Sequence, residues 1–253
     1  MRLSALVLAL LVLTPFSAGA ITARSEEAPD AEDLGFPSIS WGFKAGLSLA
    51  LNSGIMERDA EYSVSNYFRT GFAGGLFLYL PVTSRFGLQQ EVLYVQKGSR
   101  QDITVEIVGI PTVLDVTYNM DYIEIPVLMR YTWIRRGGRA FYSFAGTALS
   151  LKVNDRYKLS GVVDDGVEQV PLYADSDMSE VEMFDYSFIF GFGYERKLWS
   201  KWLLIEYRFT IGWNGLEMPT YAYVPFEGED LLIDNDPVTL KNQAHIHLIG
   251  LSF

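Results

Sequence analysis

The sequence predicts an all-β fold, an eight-stranded antiparallel up-and-down transmembrane β-barrel. Eight segments of about ten residues alternate apolar positions with polar or glycine positions, which is the period and length of a strand that crosses a bilayer. Their apolar faces are long and aromatic, whereas the opposite faces are rich in glycine and charged residues. The strand count alone also fits a soluble barrel or sandwich. A barrel with lipid outside and a mixed polar interior explains the two faces better than a soluble barrel or sandwich does.

The first four segments show this alternation most simply. Segment 41–51 (WGFKAGLSLAL) puts tryptophan, phenylalanine and leucine on one face, and glycine, lysine and serine on the other. Segments 71–80 and 86–97 follow, with glycines in the former and glutamine and glutamate in the latter. Segment 120–133 has an unbroken apolar face, and its opposite face carries a glutamate, a proline and an arginine. Each is predicted to be one membrane-crossing strand.

The last four segments, 140–151, 184–195, 202–213 and 244–253, repeat the pattern. The first of them, AFYSFAGTALSL, has a glycine near its centre. The second, FDYSFIFGFGYE, stacks tyrosines and phenylalanines on one face, and the third opposes leucine, isoleucine and phenylalanine to glutamate and arginine. The fourth, AHIHLIGLSF, ends the chain on an aromatic residue, Phe253. Eight strands in all give the even number that such barrels need.

The connections between these segments alternate in length. Short turns are expected at 81–84, 132–138 and 196–201. Long loops are expected between them, at 50–69, 98–115, 152–182 and 214–240. This alternation is typical of an outer-membrane barrel with periplasmic turns, external loops and both termini in the periplasm.

Tryptophan placement agrees with this topology, because indole prefers the membrane–water boundary. No tryptophan falls in the middle of a predicted strand. The predicted aromatic belt consists of Trp41, Trp133, Trp199 and Trp202 at the short-turn rim and Trp213 at the opposite rim.

The N-terminus predicts export. Residues 1–20 hold one arginine, an apolar run and a small-residue pattern that ends at Ala20, as in a cleaved secretory signal peptide. The run is too short for a membrane-spanning anchor helix, which is the alternative. Residues 21–38 are acidic and are expected to form a flexible leader. The barrel domain is expected over 39–253.

Composition excludes several classes of function. The net charge is −11, so no basic stripe is available for nucleic acid. The chain has no cysteine, which excludes disulfides, thiolate metal sites, cysteine catalysis and a lipid-modified cysteine. We expect no cofactor and no bound metal.

Four stretches carry a family resemblance. YIEIPVLMRY at 122–131, followed by YSFAGTAL, resembles a motif of the PorT-type outer-membrane β-barrels common in Bacteroidota. LQQEVLYVQKG at 88–98, FDYSFIFGFGYE at 184–195 and GLSF at 250–253 are similar to other strands of that family. The resemblance covers about 40–253. It implies the outer membrane of a Gram-negative bacterium, and one family member serves the type IX secretion system.

Charged side chains on the faces opposite the apolar ones would line the lumen. An unpaired buried charge is very costly, so the bases are expected to pair with the acids in a network that plugs the barrel. Glycines on the same faces are expected to make room for long side chains, and Pro126, which cannot donate to the ladder, predicts a bulge. A proton or small-solute path is the alternative. The predicted network consists of Lys44, Glu91, Glu124, Arg130, Asp185, Glu195, Glu206 and Arg208.

Candidate catalytic residues are scarce. His245 and His247 are the only histidines, and their spacing puts both on the lipid side of the last strand. A metal pair lacks a clear third ligand. A lipid A enzyme with a serine–histidine arrangement would need a serine on that face, and Ser252 lies on the other. We therefore expect a protein that is not an enzyme.

The sequence thus predicts a structural, adhesive or partner-binding barrel with a filled lumen and long acidic external loops. A component of a PorT-like protein secretion machinery and a narrow pore remain as alternatives. The expected partners are outer-membrane lipid and lipopolysaccharide, the barrel-assembly machinery, and a protein at the external loops.

Overall fold

The computed structural model describes residues 39–53, 62–107, 110–164, 169–177, 183–226 and 229–253. The predicted signal peptide (1–20) and leader (21–38) lie outside them. Among the described residues, no helix is long and apolar enough to cross a bilayer. The described strands are β1 (Ser40–Ser53), β2 (Tyr62–Pro81), β3 (Phe86–Ile107), β4 (Ile110–Arg136), β5 (Arg139–Asp164), β6 (Gln169–Ser176), β7 (Phe184–Leu198), β8 (Lys201–Gly212), β9 (Leu216–Phe226) and β10 (Glu229–Ser252).

Eight of these described strands close a ring. The order around it is β1-β2-β3-β4-β5-β7-β8-β10, and β10 returns to pair with β1. Every pairing is antiparallel, and Phe43 on β1 faces Leu251 on β10. The predicted eight-stranded up-and-down barrel is confirmed.

Three tight connections lie at one end of the barrel, which we call the turn end. They are residues 82–85 between β2 and β3, Gly137–Gly138 between β4 and β5, and Trp199–Ser200 between β7 and β8. Both glycines have left-handed φ angles, +58° and +70°, which glycine adopts without a steric cost. The second and third turns fall within the predicted connections 132–138 and 196–201, and the first overlaps the predicted 81–84 but extends one residue beyond it.

The predicted long loops are mostly strand, which corrects the sequence interpretation. β4 and β5 have 27 and 26 residues, whereas a tilted strand needs only ~9–11 to cross a bilayer. Beyond the ring, β6 and β9 lie between β5 and β10 and continue the sheet. We call this part the extension; it comprises 98–107, 110–120, 153–164, 169–176, 216–226 and 229–240.

The predicted bulge at Pro126 is wrong. Pro126 pairs with Ala148 on β5 in continuous register. On the β3 side the register is the same before and after the proline, although no pair is formed opposite it. The missing N–H therefore removes ladder contacts without inserting a residue. The irregularities in β4 lie elsewhere, between Asp121 and Tyr122 and between Thr132 and Ile134.

The two faces of the wall separate as the alternation predicts. Large apolar side chains such as Leu47, Leu76, Phe190 and Ile249 are exposed on the outside. Their chain neighbours lie on the inward face, and those with a side chain, Ser48, Phe77, Ile189 and Leu248, are buried. Because a bilayer is an apolar solvent, this outward apolar surface is stable only against hydrocarbon.

Candidate functional site

The centre of the lumen holds a cluster of four charged side chains from three strands. Lys44 Nζ donates to Glu91 Oε1 at 2.8 Å and to Glu206 Oε2 at 2.7 Å. The guanidinium of Arg208 bonds the same two carboxylates, each at 2.7 Å. All four side chains are buried. Each cation therefore bridges both anions, and the cluster, which we call the central cluster, has no net charge.

Neutral donors complete the central cluster. Gln89 Nε2 donates to Glu91 Oε1 at 2.6 Å, and the Tyr142 hydroxyl donates to Glu206 Oε1 at 2.8 Å. Charge-assisted bonds of this kind are about twice as strong as neutral ones. These bonds occupy the carboxylate oxygens of Glu91 and Glu206 and help to offset the large cost of removing four charges from water.

A second pair lies nearer the turn end. Arg130 Nη1 donates to Glu195 Oε1 at 2.6 Å, and Arg130 Nη2 lies 2.5 Å from Glu195 Oε2 as an ion-pair contact. The guanidinium carbon of Arg130 lies 3.5 Å from the ring centroid of Tyr142 and 4.5 Å from that of Tyr79. The ion pair with Glu195 and the two aromatic faces together hold this arginine in one orientation.

Two inward glycines, Gly193 and Gly87, make room for these aromatic rings. A Cβ on Gly193 would lie 2.3 Å from the ring of Tyr142, and one on Gly87 would lie 2.3 Å from the ring of Tyr79. Gly193 was expected to make room for a long charged side chain, and the structure shows that it makes room for the ring of Tyr142 instead.

A third polar layer lies on the extension side of the central cluster. Glu124 forms an ion pair with Lys97, and Ser150 Oγ donates to the same carboxylate at 3.2 Å. Asn242 Nδ2 donates to Asp185 Oδ2 at 3.3 Å, and to the hydroxyl oxygen of Tyr122 at 3.1 Å. Lys97 was not in the predicted network, although it shares the alternation of Glu91 and could have been found from it.

Apolar side chains fill the lumen beside and beyond these layers. One cluster packs Ala73, Leu93 and Ile246 together within the ring. A larger one joins inward side chains of β4, β5, β6 and β10. Its buried members are Val116, Tyr118, Met120, Tyr122, Tyr157, Leu159, Leu172, Ala174 and Leu240. In the described part of the chain, the interior is thus occupied by side chains from the turn end into the extension.

The predicted aromatic belt is corrected at one position. Trp41, Trp133, Trp199 and Trp213 are exposed on the described surface. Trp202 is only 2 % exposed, because it shares the inward face of Glu206 and Arg208. An inward indole cannot contact lipid, so the prediction for Trp202 is wrong.

The two histidines lie on the outer wall among aromatic rings. The Tyr207 hydroxyl and His245 Nδ1 are 2.7 Å apart, and the ring of Phe209 lies 4.7 Å from that of His245. His247 packs on Tyr207 at 5.1 Å. Since a hydrogen-bonded polar group is tolerated in an apolar setting, these contacts account for the histidines as wall residues.

The extension carries ion pairs between neighbouring strands. Arg156 bonds Asp175 at 2.6 and 3.1 Å, and this bond and the charge of Asp175 raise the pKa of Arg156. Arg100 pairs with Asp115. All of these side chains are substantially exposed. The part of the predicted acidic surface that the structure describes is therefore a mixture of both signs, and the remaining acids lie outside the described side chains.

Comparisons with known proteins found one matching family and several similar solved structures. The model of the family described as "Outer membrane protein beta-barrel domain" matches residues 29–216. The outer membrane protein OprG from Pseudomonas aeruginosa is similar, with 10 % identity over 87 % of this chain and 98 % of that one and a TM-score of 0.46. The attachment invasion locus protein Ail of Yersinia pestis has 12 % identity over 86 % of this chain and 100 % of that one, with a TM-score of 0.33. Neisserial surface protein A has 12 % identity over 84 % of this chain and 95 % of that one, with a TM-score of 0.35. No curated protein matches the chain.

Proposed function

The chain belongs to the outer membrane protein beta-barrel domain family, and on that premise we propose that it is a non-enzymatic anchor that binds a protein partner through its extension. The observation that carries the proposal is the contrast between its two halves. The ring is filled by paired charges, rings and apolar clusters, whereas the strands continue far past the length that a bilayer requires. A filled ring supports anchoring rather than transport.

The extension offers a surface suited to a protein. Val162 and Tyr173 are exposed on its outer face, on the paired strands β5 and β6. Val113, on β4, lies beside Val162, because its neighbour Leu114 pairs with Gly161. The ion pairs of Asp115 and Asp175 lie beside these apolar side chains, on the same strands and nearer the ring. Apolar side chains next to charged ones are common in protein interfaces.

Site-directed photo-cross-linking in intact cells tests this proposal. A photoreactive phenylalanine analogue at Val162 or Tyr173 is expected to give a discrete protein adduct. The matched control places the same analogue at Ile249, an apolar position on the ring that is more exposed than either test position. The control is expected to give no such adduct, because its surroundings are lipid. The same result at all three positions, with or without adducts, would contradict the proposal.

A role in protein secretion is the second candidate, and the resemblance of segments 122–131 and 184–195 to PorT-type barrels favours it. In that case the partner cross-linked to the extension is a component of an export apparatus. Mass-spectrometric identification of the adduct decides between this role and adhesion.

A narrow pore is the third candidate, and the filled lumen disfavours it. In planar bilayers the purified protein is expected to give no single-channel steps. Steps that change in size when Gly191, on the inner face of β7, is replaced by leucine would favour the pore.

A further inference from the structure

Three arginines stand side by side on the outer wall at the turn end. Arg136 on β4 pairs with Arg139 on β5, and Arg139 pairs with Arg196 on β7. All three are exposed, and we call them the arginine row. Like charges directly opposite each other destabilise a sheet. The row therefore costs stability unless an anion lies against it.

The described chain does not supply that anion. Glu195 is the neighbour of Arg196 in the chain, but it points into the lumen and pairs with Arg130. The other ion pairs among the described side chains lie in the lumen or in the extension. The arginine row thus presents three guanidinium groups to a ligand from outside the described barrel.

An apolar row runs alongside, one step nearer the middle of the bilayer. Ile134 pairs with Phe141, and Phe141 pairs with Tyr194. A cleft of about 550 Å³ on this wall is lined by residues of both rows, including Arg136 and Arg139. The surface therefore offers positive charge at its edge and hydrocarbon-compatible side chains next to it.

The depth of the arginine row matches the headgroup region. Trp133 lies three residues before Arg136 and is 58 % exposed on the outer wall. Its Nε1 donates to Ser143 at 2.9 Å. Exposed indoles sit at the membrane–water boundary, and the short turns of outer-membrane barrels face the periplasm. The arginine row therefore lies at the phosphate level of the periplasmic leaflet.

We propose that the arginine row binds the phosphate of an anionic diacyl phospholipid of the periplasmic leaflet, whose acyl chain lies on the apolar row. The planar fork of a guanidinium matches two phosphate oxygens at once. A bound phosphate relieves the repulsion between the paired arginines. The lipid then acts as a specific ligand of one wall, distinct from the bulk bilayer around it.

Native mass spectrometry of the full chain in detergent tests the proposal, with dioleoyl phosphatidylglycerol as the probe. One retained lipid per protein is expected, and phosphatidylcholine is expected to be retained less. The variant with Arg136, Arg139 and Arg196 replaced by glutamine is expected to bind about tenfold more weakly or worse. The matched control replaces Arg85, Lys197 and Lys201, which lie at the same end but outside the row, and should change binding less than about twofold.

Three results would overturn the proposal. Equal weakening in both triple variants would show that only the total charge of the turn end matters. Displacement of the lipid by an equal concentration of inorganic phosphate would show a simple anion site. Stronger lipid retention after neutralising the acidic residues of 26–33 in the full chain would show that the leader occupies the row. Folding of each variant is checked separately by its heat-dependent shift in gel mobility.

Discussion

Replacing Glu206 by glutamine tests how far the central cluster depends on its charge balance. Glu206 receives bonds from Lys44 and Arg208, each at 2.7 Å, and from Tyr142. Glutamine keeps the shape but leaves two cations sharing the carboxylate of Glu91. Breaking a buried ion pair from one side typically costs about 3–5 kcal/mol. We expect a loss of that size in the free energy of unfolding.

The assay is urea unfolding of the protein in lipid vesicles, with tryptophan fluorescence as the measured signal. The matched variant combines Glu206→Gln with Lys44→Met, which restores neutrality. It is expected to be more stable than Glu206→Gln alone, by at least about 1 kcal/mol, because the two sites are coupled. The view that the buried charges stabilise one another would be refuted if the losses in unfolding free energy from the two substitutions simply added. It would also be refuted if Glu206→Gln alone lost less than about 1 kcal/mol.

Three further predictions concern other parts of the barrel. Asp175→Asn, in the exposed ion pair of the extension, should lower stability by less than about 1 kcal/mol, which denaturant titration can measure. Among variants that keep a single tryptophan, brominated lipid should quench Trp133 strongly and Trp202 hardly at all; equal quenching would place both on the lipid side. Gly193→Ala should cost about 1–3 kcal/mol, since its Cβ would overlap the ring of Tyr142, and an unchanged urea midpoint would contradict that contact.

The ring was predictable because lipid imposes a strict period of two on every residue that crosses it. The extension was not, because its strands have water on the outer face and need no large apolar side chains there. Residues 153–164 therefore resemble a polar loop in composition, and residues 110–120 are mixed and include a proline, although the two segments pair across β4 and β5. The inward tyrosines and leucines of these segments are the residues whose alternation indicates strands there.

Alternation predicts the face of a residue but not its partner. Arg130 on β4 bonds Glu195, which lies two strands away on β7, across the lumen side of β5. Which side chains meet inside a barrel depends on the tilt and stagger of its strands, and these are set by closure of the whole ring. Trp202 shows a different limit. Its alternation with Glu206 places it inside, and this local pattern outweighs the general preference of indole for the membrane boundary.

The barrel wall closes only when β10 pairs with β1. Trp41 and Phe253 exchange two backbone hydrogen bonds, and their rings stack at 5.1 Å. A chain that lacks its final strand leaves two bare edges, which hydrocarbon cannot satisfy. The pairing of β10 with β1 thus seals the wall. An intact β10 is a condition for a stable barrel in the membrane, because a copy without it keeps both edges unpaired.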